Sequence, residues 1–278
     1  MALSDLNGRW ALVTGAASGI GHETALAFAR EGANVVAVDL DEARLAETTR
    51  SVEATGRRCL SAGCDVSNPA AVEAFAARIA ADIGPLDVVV NNAGVGFLGP
   101  FLDTPLSAWQ QVVGVNLMGV VHVSRAFLPG MIAAGGARHL VNVSSAAGIY
   151  PVPNLSAYSA SKHAVMGLSD ALAMELRDTG VGVTVVCPGI INTPIIRNGR
   201  AVAPSVPASA TDKLSQQYQA RGAHPSLVAA RIVRAVKRGE DIVLAGPSAN
   251  AVFQARRLPR RLLQRASLSG ARQLGYVW

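Results

Sequence analysis

The chain has 278 residues and a mass of 28.7 kDa; half of its residues are hydrophobic and 16% are charged. That composition can bury a sizeable core, as one large α/β domain or two small ones, and argues against disorder. The net charge of +6 is localised: residues 251–278 carry six Arg and no acid, leaving 19 basic and 19 acidic side chains elsewhere, so the body is neutral.

The opening stretch MALSDLNGRW has no basic segment followed by an apolar run, so no secretory signal is expected. No apolar run of membrane-spanning length is expected either. Cys59, Cys64 and Cys187 are odd in number and lack C-x-x-C spacing. They argue against a disulfide framework or zinc site and suit a reducing cytoplasm.

The first strand reads as WALVTG (10–15), and TGAASGIG (14–21) follows it into a helix over 19–31. Gly15, Gly19 and Gly21 lack Cβ, so the backbone around Ser18 and Ile20 can turn tightly and approach a pyrophosphate at a helix N-terminus. The spacing is G-x-x-x-G-x-G rather than the commoner G-x-G-x-x-G, and a glycine turn without a ligand is the alternative. NVVAVD (34–39) is the second strand and ends in Asp39, 20 residues after Gly19. A carboxylate there accepts ribose hydroxyls and repels a 2′-phosphate. Neither Leu40 nor Ser18 supplies a cation, so NAD is expected over NADP. Capping the next helix (41–55) is the other role for Asp39, which Asp41 could fill equally well.

A weaker strand at 57–66 precedes a helix over 69–82, with Pro69 suited to its first position. Further strands are LDVVVNN (86–92), HLVNVSS (139–145), VGVTVVCP (181–188) and DIVLA (241–245). Helices are expected over 105–134, 157–179 and 225–238. Near-continuous Val and Leu implies burial on both strand faces, hence a doubly wound (Rossmann) parallel sheet of about seven strands with helices on both sides. One catalytic domain is expected over 1–249, followed by a tail at 250–278. The Pro-, Ser- and Ala-rich stretch 190–224 reads as a long substrate loop or lid.

YSASK (158–162) places Tyr158 and Lys162 one turn apart on one helix face. A nearby ammonium favours phenolate, which would bring Tyr158 towards neutral-pH acid–base work. Lys162 could also hold ribose hydroxyls. Ser145 closes the fifth strand, where its hydroxyl could polarise a substrate oxygen. Its alternative is an ordinary strand-end or cap serine.

Taken in order, TGAASGIG, CDV (64–66), NNAG (91–94), Asn116 in VNLMG, SS (144–145), YSASK and PGIINTP (188–194) resemble the short-chain dehydrogenase/reductase family of compact, single-domain type. The resemblance covers about residues 6–247. It implies that Tyr158 is the proton donor and acceptor, and that Lys162 orients the nicotinamide ribose and lowers the tyrosine pKa. Ser145 would polarise the carbonyl, and Asn116 would support a proton-relaying water. It also implies that Asp65 and Val66 flank the adenine and that Asn92, Ala93 and Gly94 line the cofactor. Pro188 and Gly189 belong to the motif whose Ile191 and Thr193 would hold the nicotinamide end. The implied activity is hydride exchange between NAD and an alcohol, ketone or aldehyde, by a homodimer or homotetramer assembled through the VNLMG and YSASK helices. The alternatives are an NADPH-dependent carbonyl or 3-oxoacyl thioester reductase and, in another class, a dinucleotide-sensing protein.

The five His residues (22, 122, 139, 163 and 224) show no metal-ligand spacing, so no metal is expected and they are read as structural or exposed. Trp109 and Cys187 read as packing residues. Tyr150 and Ile195 are expected to line the substrate pocket. Ile195, Ile196, Val202, Val206 and Leu214 would make one end of it apolar, suiting a hydrophobic alcohol or carbonyl substrate. In the tail, Leu258, Leu262, Leu263 and Ala266 share a sector of a helical wheel otherwise filled by Arg. Contact with an anionic membrane surface, contact with another subunit, and a solvated terminus all stay open. Nucleic acid is not expected, because no aromatic residues interleave the arginines.

Overall fold

The Val-rich segments lie edge to edge in one parallel sheet in the computed structural model, which describes residues 2–193, 195 and 202–277. Its strands are β1 (Trp10–Thr14), β2 (Asn34–Asp39), β3 (Cys59–Gly63), β4 (Val88–Asn91), β5 (Arg138–Val143), β6 (Val181–Pro188) and β7 (Ile242–Ala245). They run in the order β3-β2-β1-β4-β5-β6-β7. Every residue of β4, β5 and β6 is buried, as expected of strands covered on both faces. The order reverses between β1 and β4, and there the C-terminal strand ends open a crevice for ligands.

One face carries α1 (Gly19–Arg30) and α8 (Pro225–Arg238), which pack together with the inner side chains of β1, β2 and β4. The other face carries α3 (Pro69–Ile83), α4 (Leu106–Val113), α5 (Gly119–Ala133) and α6 (Ser156–Glu175). A short helix, α2 (Ala46–Glu53), leads into β3. Local chemistry sets several starts and stops. Asn68 accepts from Ala70 N and Ala71 N, with Pro69 opening α3. His224 caps α8, which ends at Gly239 in the left-handed region (φ +67°).

Three expectations change. First, α4 and α5 form the single helix expected over 105–134, here Leu106–Ala133, but its hydrogen-bond ladder widens to a π turn at Gly114–Met118. By length and composition it could cross a membrane, contrary to the expectation that no run reaches that length. Its contacts with α3 and α6 are those of a core helix. Second, residues 190–224 are not all loop: α7 (Ala208–Arg221) lies within them, burying Ala210 and Leu214. Pro194 and Ile196 lie outside the described residues. Third, the tail folds back onto the body. After α9 (Ala249–Ala255), α10 (Arg260–Leu274) packs against α7 and buries Leu263 and Ala271. Leu258 and Leu262 are exposed, because Pro259 starts the helix afresh and leaves Leu258 outside it. The buried residues of α10 are therefore Leu263 and Ala271, with Leu274 packed beside them, and Leu263 alone belongs to the sector read from the wheel.

Each histidine has a hydrogen-bond partner: His22 with Thr48, His122 with Val66 O, His139 with Thr184, His163 with Ser159 O and His224 with Ser226. No cluster of three potential metal ligands occurs among the described residues.

Candidate active site

The turn after β1 has the geometry of an anion cradle. Gly15 and Gly19 adopt φ of +65° and +56°, which glycine does without steric cost. A Cβ on Gly21 would sit 2.0 Å from Gly15 O, so no larger residue fits there. Ser18 stands at the N-cap of α1 without a side-chain cap bond, and no acid occupies the first turn. The main-chain donors at this helix start thus face no competing carboxylate, which suits a diphosphate. Asp39 Oδ2 accepts from Ala17 N at 3.0 Å, so the same carboxylate that ends β2 also fixes this turn. The capping role belongs to Asp41, which accepts from Ala43 N.

Further along the crevice, Thr14 Oγ1 accepts from Asn92 N and Ala93 N, both at 3.0 Å. Asn92 Nδ2 also donates to Thr14 O at 2.9 Å. Gly94 approaches α6 and the π turn closely: a Cβ there would meet Asn116 Oδ1 at 3.3 Å and Lys162 Nζ at 3.4 Å. Asp65 accepts from Ser67 N and Oγ, and Val66 is buried, so the segment expected beside an adenine is well ordered by its own bonds. At the far end Pro188 closes β6, and a Cβ on Gly189 would collide with Pro247 O. Ile191 is buried and bridges to Ala223, while Thr193 borders a cavity of about 420 Å³ beside α7. The donors at α1 and the Asp39 carboxylate together fit a dinucleotide.

The catalytic candidates converge where β5 meets α6. Lys162 is buried, and its ammonium donates to Val143 O at 2.8 Å. Ser144 Oγ donates back to Lys162 O at 2.8 Å, lacing strand end to helix. Gly148 allows this approach, since a Cβ there would be 2.6 Å from Lys162 O. Ser145 Oγ accepts from Ala147 N and hydrogen-bonds the Tyr158 phenol. It is therefore both a cap serine and a neighbour of the phenol. Lys162 Nζ lies 5.8 Å from the Tyr158 ring centroid.

Asn116 sits in the π turn, fully buried, with its amide in use: Oδ1 accepts from Val95 N, and Nδ2 donates to Val95 O and Ser161 Oγ. Ser161 Oγ in turn donates to Tyr158 O at 2.8 Å. A second buried chain, which the sequence did not reveal, joins Ser124, Asn91, Asn142 and Ser169 across β4 and β5 to α6. Polar side chains at inward-facing strand positions are its signature, and VVVNN and LVNVSS carry it.

Burial dominates the electrostatics. It pushes the Tyr158 phenol up to about 12, opposed by the Ser145 hydrogen bond and reinforced by Tyr218. It pulls the Lys162 ammonium down to about 8, opposed by Cys187. The expected lowering of the tyrosine by Lys162 is thus not met in the protein alone: burial raises the phenol, and Ser145 rather than Lys162 is the group that opposes it.

One pocket expectation shifts, that for Tyr150. Tyr150 lines a groove of about 870 Å³ between residues 149–163 and the α9–α10 turn, and neither Ser145 nor Tyr158 lines it. Ile195 is half-buried beside residues outside the described set. Instead, Tyr158 packs in an apolar cluster with Leu98, Leu155, Val206, Leu214, Tyr218 and Tyr276. Nothing in the spacing of Tyr218 or Tyr276 signals this meeting.

Residues 9–202 match the family described as short chain dehydrogenase. The Mycobacterium tuberculosis protein named "Probable oxidoreductase EphD" is 44% identical over 261 residues, covering 92% of this chain and 44% of that protein. The chain thus spans less than half the length of that relative. A short chain dehydrogenase/reductase from Burkholderia phymatum, solved in complex with NAD, has a TM-score of 0.84 at 31% identity, covering 94% of this chain and 96% of that one. A metagenomic short-chain oxidoreductase in complex with NADP has a TM-score of 0.69 at 34% identity, covering 86% and 96%. With the glycine turn, the parallel sheet and the Ser145–Tyr158–Lys162 group already in place, the match over residues 9–202 identifies the chain as a member of the short-chain dehydrogenase family.

Proposed function

We propose that the chain catalyses reversible hydride transfer between NAD and a hydrophobic alcohol or the matching ketone or aldehyde. The observation that carries this reading is the meeting of Ser145, Tyr158 and Lys162 at the end of β5, with Gly94 packed closely against Lys162. The preference for NAD rests on Asp39, held by Ala17 N at the mouth of the glycine turn, where it accepts ribose hydroxyls and repels a 2′-phosphate.

A bound nicotinamide would supply the hydride acceptor or donor. The α1 N-terminus, Gly15 and Gly19 would hold its diphosphate, and Asp65, Val66, Asn92, Ala93, Ile191 and Thr193 would line its length. The chain's own residues handle the proton. Tyr158 is a protonated phenol at neutral pH, poised to donate to a carbonyl oxygen as negative charge develops there. Ser145, beside the phenol, offers its O–H to the same oxygen. Lys162 uses one donor on Val143 O and keeps two for ribose hydroxyls and for stabilising phenolate once Tyr158 has given up its proton. Both amide protons of Asn116 are in use, so a water held there would bind its main-chain carbonyl instead.

The apolar lining formed by Leu98, Leu155, Val206 and Leu214 suits a hydrophobic substrate. Assembly through α4–α5 and α6 belongs to the same proposal, and Leu106, Met118 and Met174 are exposed on these helices. The test is NADH formation from a panel of aliphatic, alicyclic and aromatic alcohols with purified protein. Turnover with NAD that disappears in Tyr158→Phe is expected. Tight NAD binding without turnover of any alcohol would instead favour a sensing role.

A further inference from the structure

The tail brings cations to an apolar hollow. Where α9 ends and α10 begins, the turn 256–260 stands against the segment 149–163, and a groove of about 870 Å³ lies between them. One wall is the IYPVP run 149–153, followed by the first turns of α6. Its two prolines carry no N–H, and Val152 N is already spent on Ser159 Oγ at 3.1 Å. The other wall is Leu258 in the turn, then Leu263 and Leu268 on α10, with Gln264 and Ser267 between them. Leu258 is 53% exposed and Leu268 37%, so the hollow keeps apolar surface that the fold does not cover.

Charge at the groove leans to one sign. Arg256 and Arg260 line it, and no Asp or Glu does. Among the described residues neither arginine forms an ion pair, and residues 251–278 contain no acid. The Arg256 guanidinium lies 3.9 Å from the Phe253 ring centroid, a cation–π contact that holds the group in place. Both arginines belong to the α9–α10 turn. From Arg260 the rise of α10 carries the wall about 12 Å onward to Leu268. The groove is thus cationic at one end and largely apolar beyond it.

We infer that this groove binds a single-chain anionic amphiphile, a medium-chain carboxylate whose head meets Arg256 and Arg260 and whose hydrocarbon lies along Leu258, Leu263 and Leu268. The guanidinium fork matches a carboxylate, and burial of the chain supplies the driving force. The volume is that of a small-molecule site. Neither Ser145 nor Tyr158 lines the groove, so this ligand is held apart from the reacting centre. Contact with a bilayer is a different arrangement. It would draw on the exposed Arg257, Arg261 and Arg265, which do not line the groove, as much as on the two that do.

The experiment is calorimetric titration of decanoate and of decanamide, both kept below micelle formation, into the full chain. Decanoate is expected to bind at least about tenfold more tightly, as a charge-assisted pair provides. Arg256→Gln combined with Arg260→Gln is expected to remove that advantage, and Leu268→Asp to weaken decanoate severalfold. Arg257→Gln combined with Arg261→Gln, an equal loss of charge outside the groove, is expected to leave decanoate binding unchanged. Unfolding midpoints are measured for each variant. No decanoate binding, equal affinity for the two compounds, or the same loss in both arginine pairs would overturn the assignment. Decanoate affinity untouched in the Arg256 and Arg260 pair would put the ligand in the catalytic crevice and also overturn it. Flotation with vesicles of phosphatidylcholine and phosphatidylglycerol is run alongside. Capture that depends on Arg257 and Arg261, without decanoate binding, would put the tail on a membrane surface instead. An oligomer that dissociates in Leu268→Asp, again without decanoate binding, would make the groove an interface between copies of the chain.

Discussion

Asn154 donates from Nδ2 to the carbonyl of Tyr276 across 122 residues of sequence, at 2.6 Å. Asn154 itself adopts φ +62°, a left-handed conformation that Asn tolerates better than most residues. Its carbonyl accepts from Gly99 N, so one residue joins the loop after β4, the approach to α6 and the end of α10. Removing residues 259–278 should therefore uncover Leu214, Tyr218 and Leu155 beside the catalytic tyrosine. The expected result is at least a tenfold loss in kcat/KM with NAD affinity within about twofold of the full chain, because the glycine turn lies elsewhere. Steady-state kinetics and NAD titration on the truncated chain check this. A tail that merely lay on the surface would leave both constants unchanged.

Tyr158→Phe removes the proton donor and keeps the ring. Turnover should fall by about 10²–10⁴-fold with NAD binding retained. The pH dependence has a definite sign. With the phenol pushed up to about 12, alcohol oxidation, which needs phenolate, should climb as pH rises through the neutral range. Carbonyl reduction should stay level there and decline above about pH 8, where Lys162 loses its charge. Rate profiles in the two directions, run on the same preparation, separate these limbs.

Asp39→Ala removes the carboxylate that faces a ribose and the acceptor for Ala17 N. The expected outcome is a higher KM for NAD and a lower KM for NADP, shifting the ratio by one to two orders of magnitude at roughly 1–3 kcal/mol of differential binding. Cofactor kinetics at matched alcohol concentration decide it. An unchanged ratio would remove Asp39 from cofactor choice.

Lys162 illustrates a conflict between stability and chemistry. Its folded pKa lies near 8, below the ordinary 10.5, so between these values the unfolded chain holds more proton and stability rises with pH. Below about pH 8 the buried ammonium costs its full amount, roughly 3 kcal/mol. Lys162→Met should therefore raise the unfolding temperature at pH 7 by a few degrees, since the unpaired Val143 carbonyl offsets part of the gain. The gain should shrink as pH rises above 8, while activity is lost. Thermal unfolding at pH 7 and pH 9.5 tests both statements.

The parallel seven-stranded sheet was legible because β4, β5 and β6 are apolar on both faces and each is separated from the next by a helix-length pattern; the order of its strands was not read from the sequence. The glycine turn, Asp39 and the Ser145–Tyr158–Lys162 group were legible because each depends on short-range spacing. Helix α7 was not. ASATDKLSQQYQAR has few apolar residues, and its buried stripe of Ala210, Leu214 and Tyr218 acquires meaning only when α10 covers it. The tail was misjudged for a related reason: a wheel drawn through Pro259 adds Leu258, which lies in the turn before α10, to residues of that helix. Tyr276 and Asn154 meet through tertiary contact alone, which no local pattern encodes.

The π turn at Gly114–Met118 amounts to one surplus residue stored inside a helix of 28 residues. Closing it to ordinary pitch would rotate everything beyond it by about 100° relative to everything before. The helix thus works as a vernier. Its first part is in phase with α6, its second part is in phase with α3 and β4, and Asn116 stands at the offset where neither phase alone would aim it at Val95. A single-residue deletion there would leave the composition nearly intact and put two otherwise sound surfaces out of step.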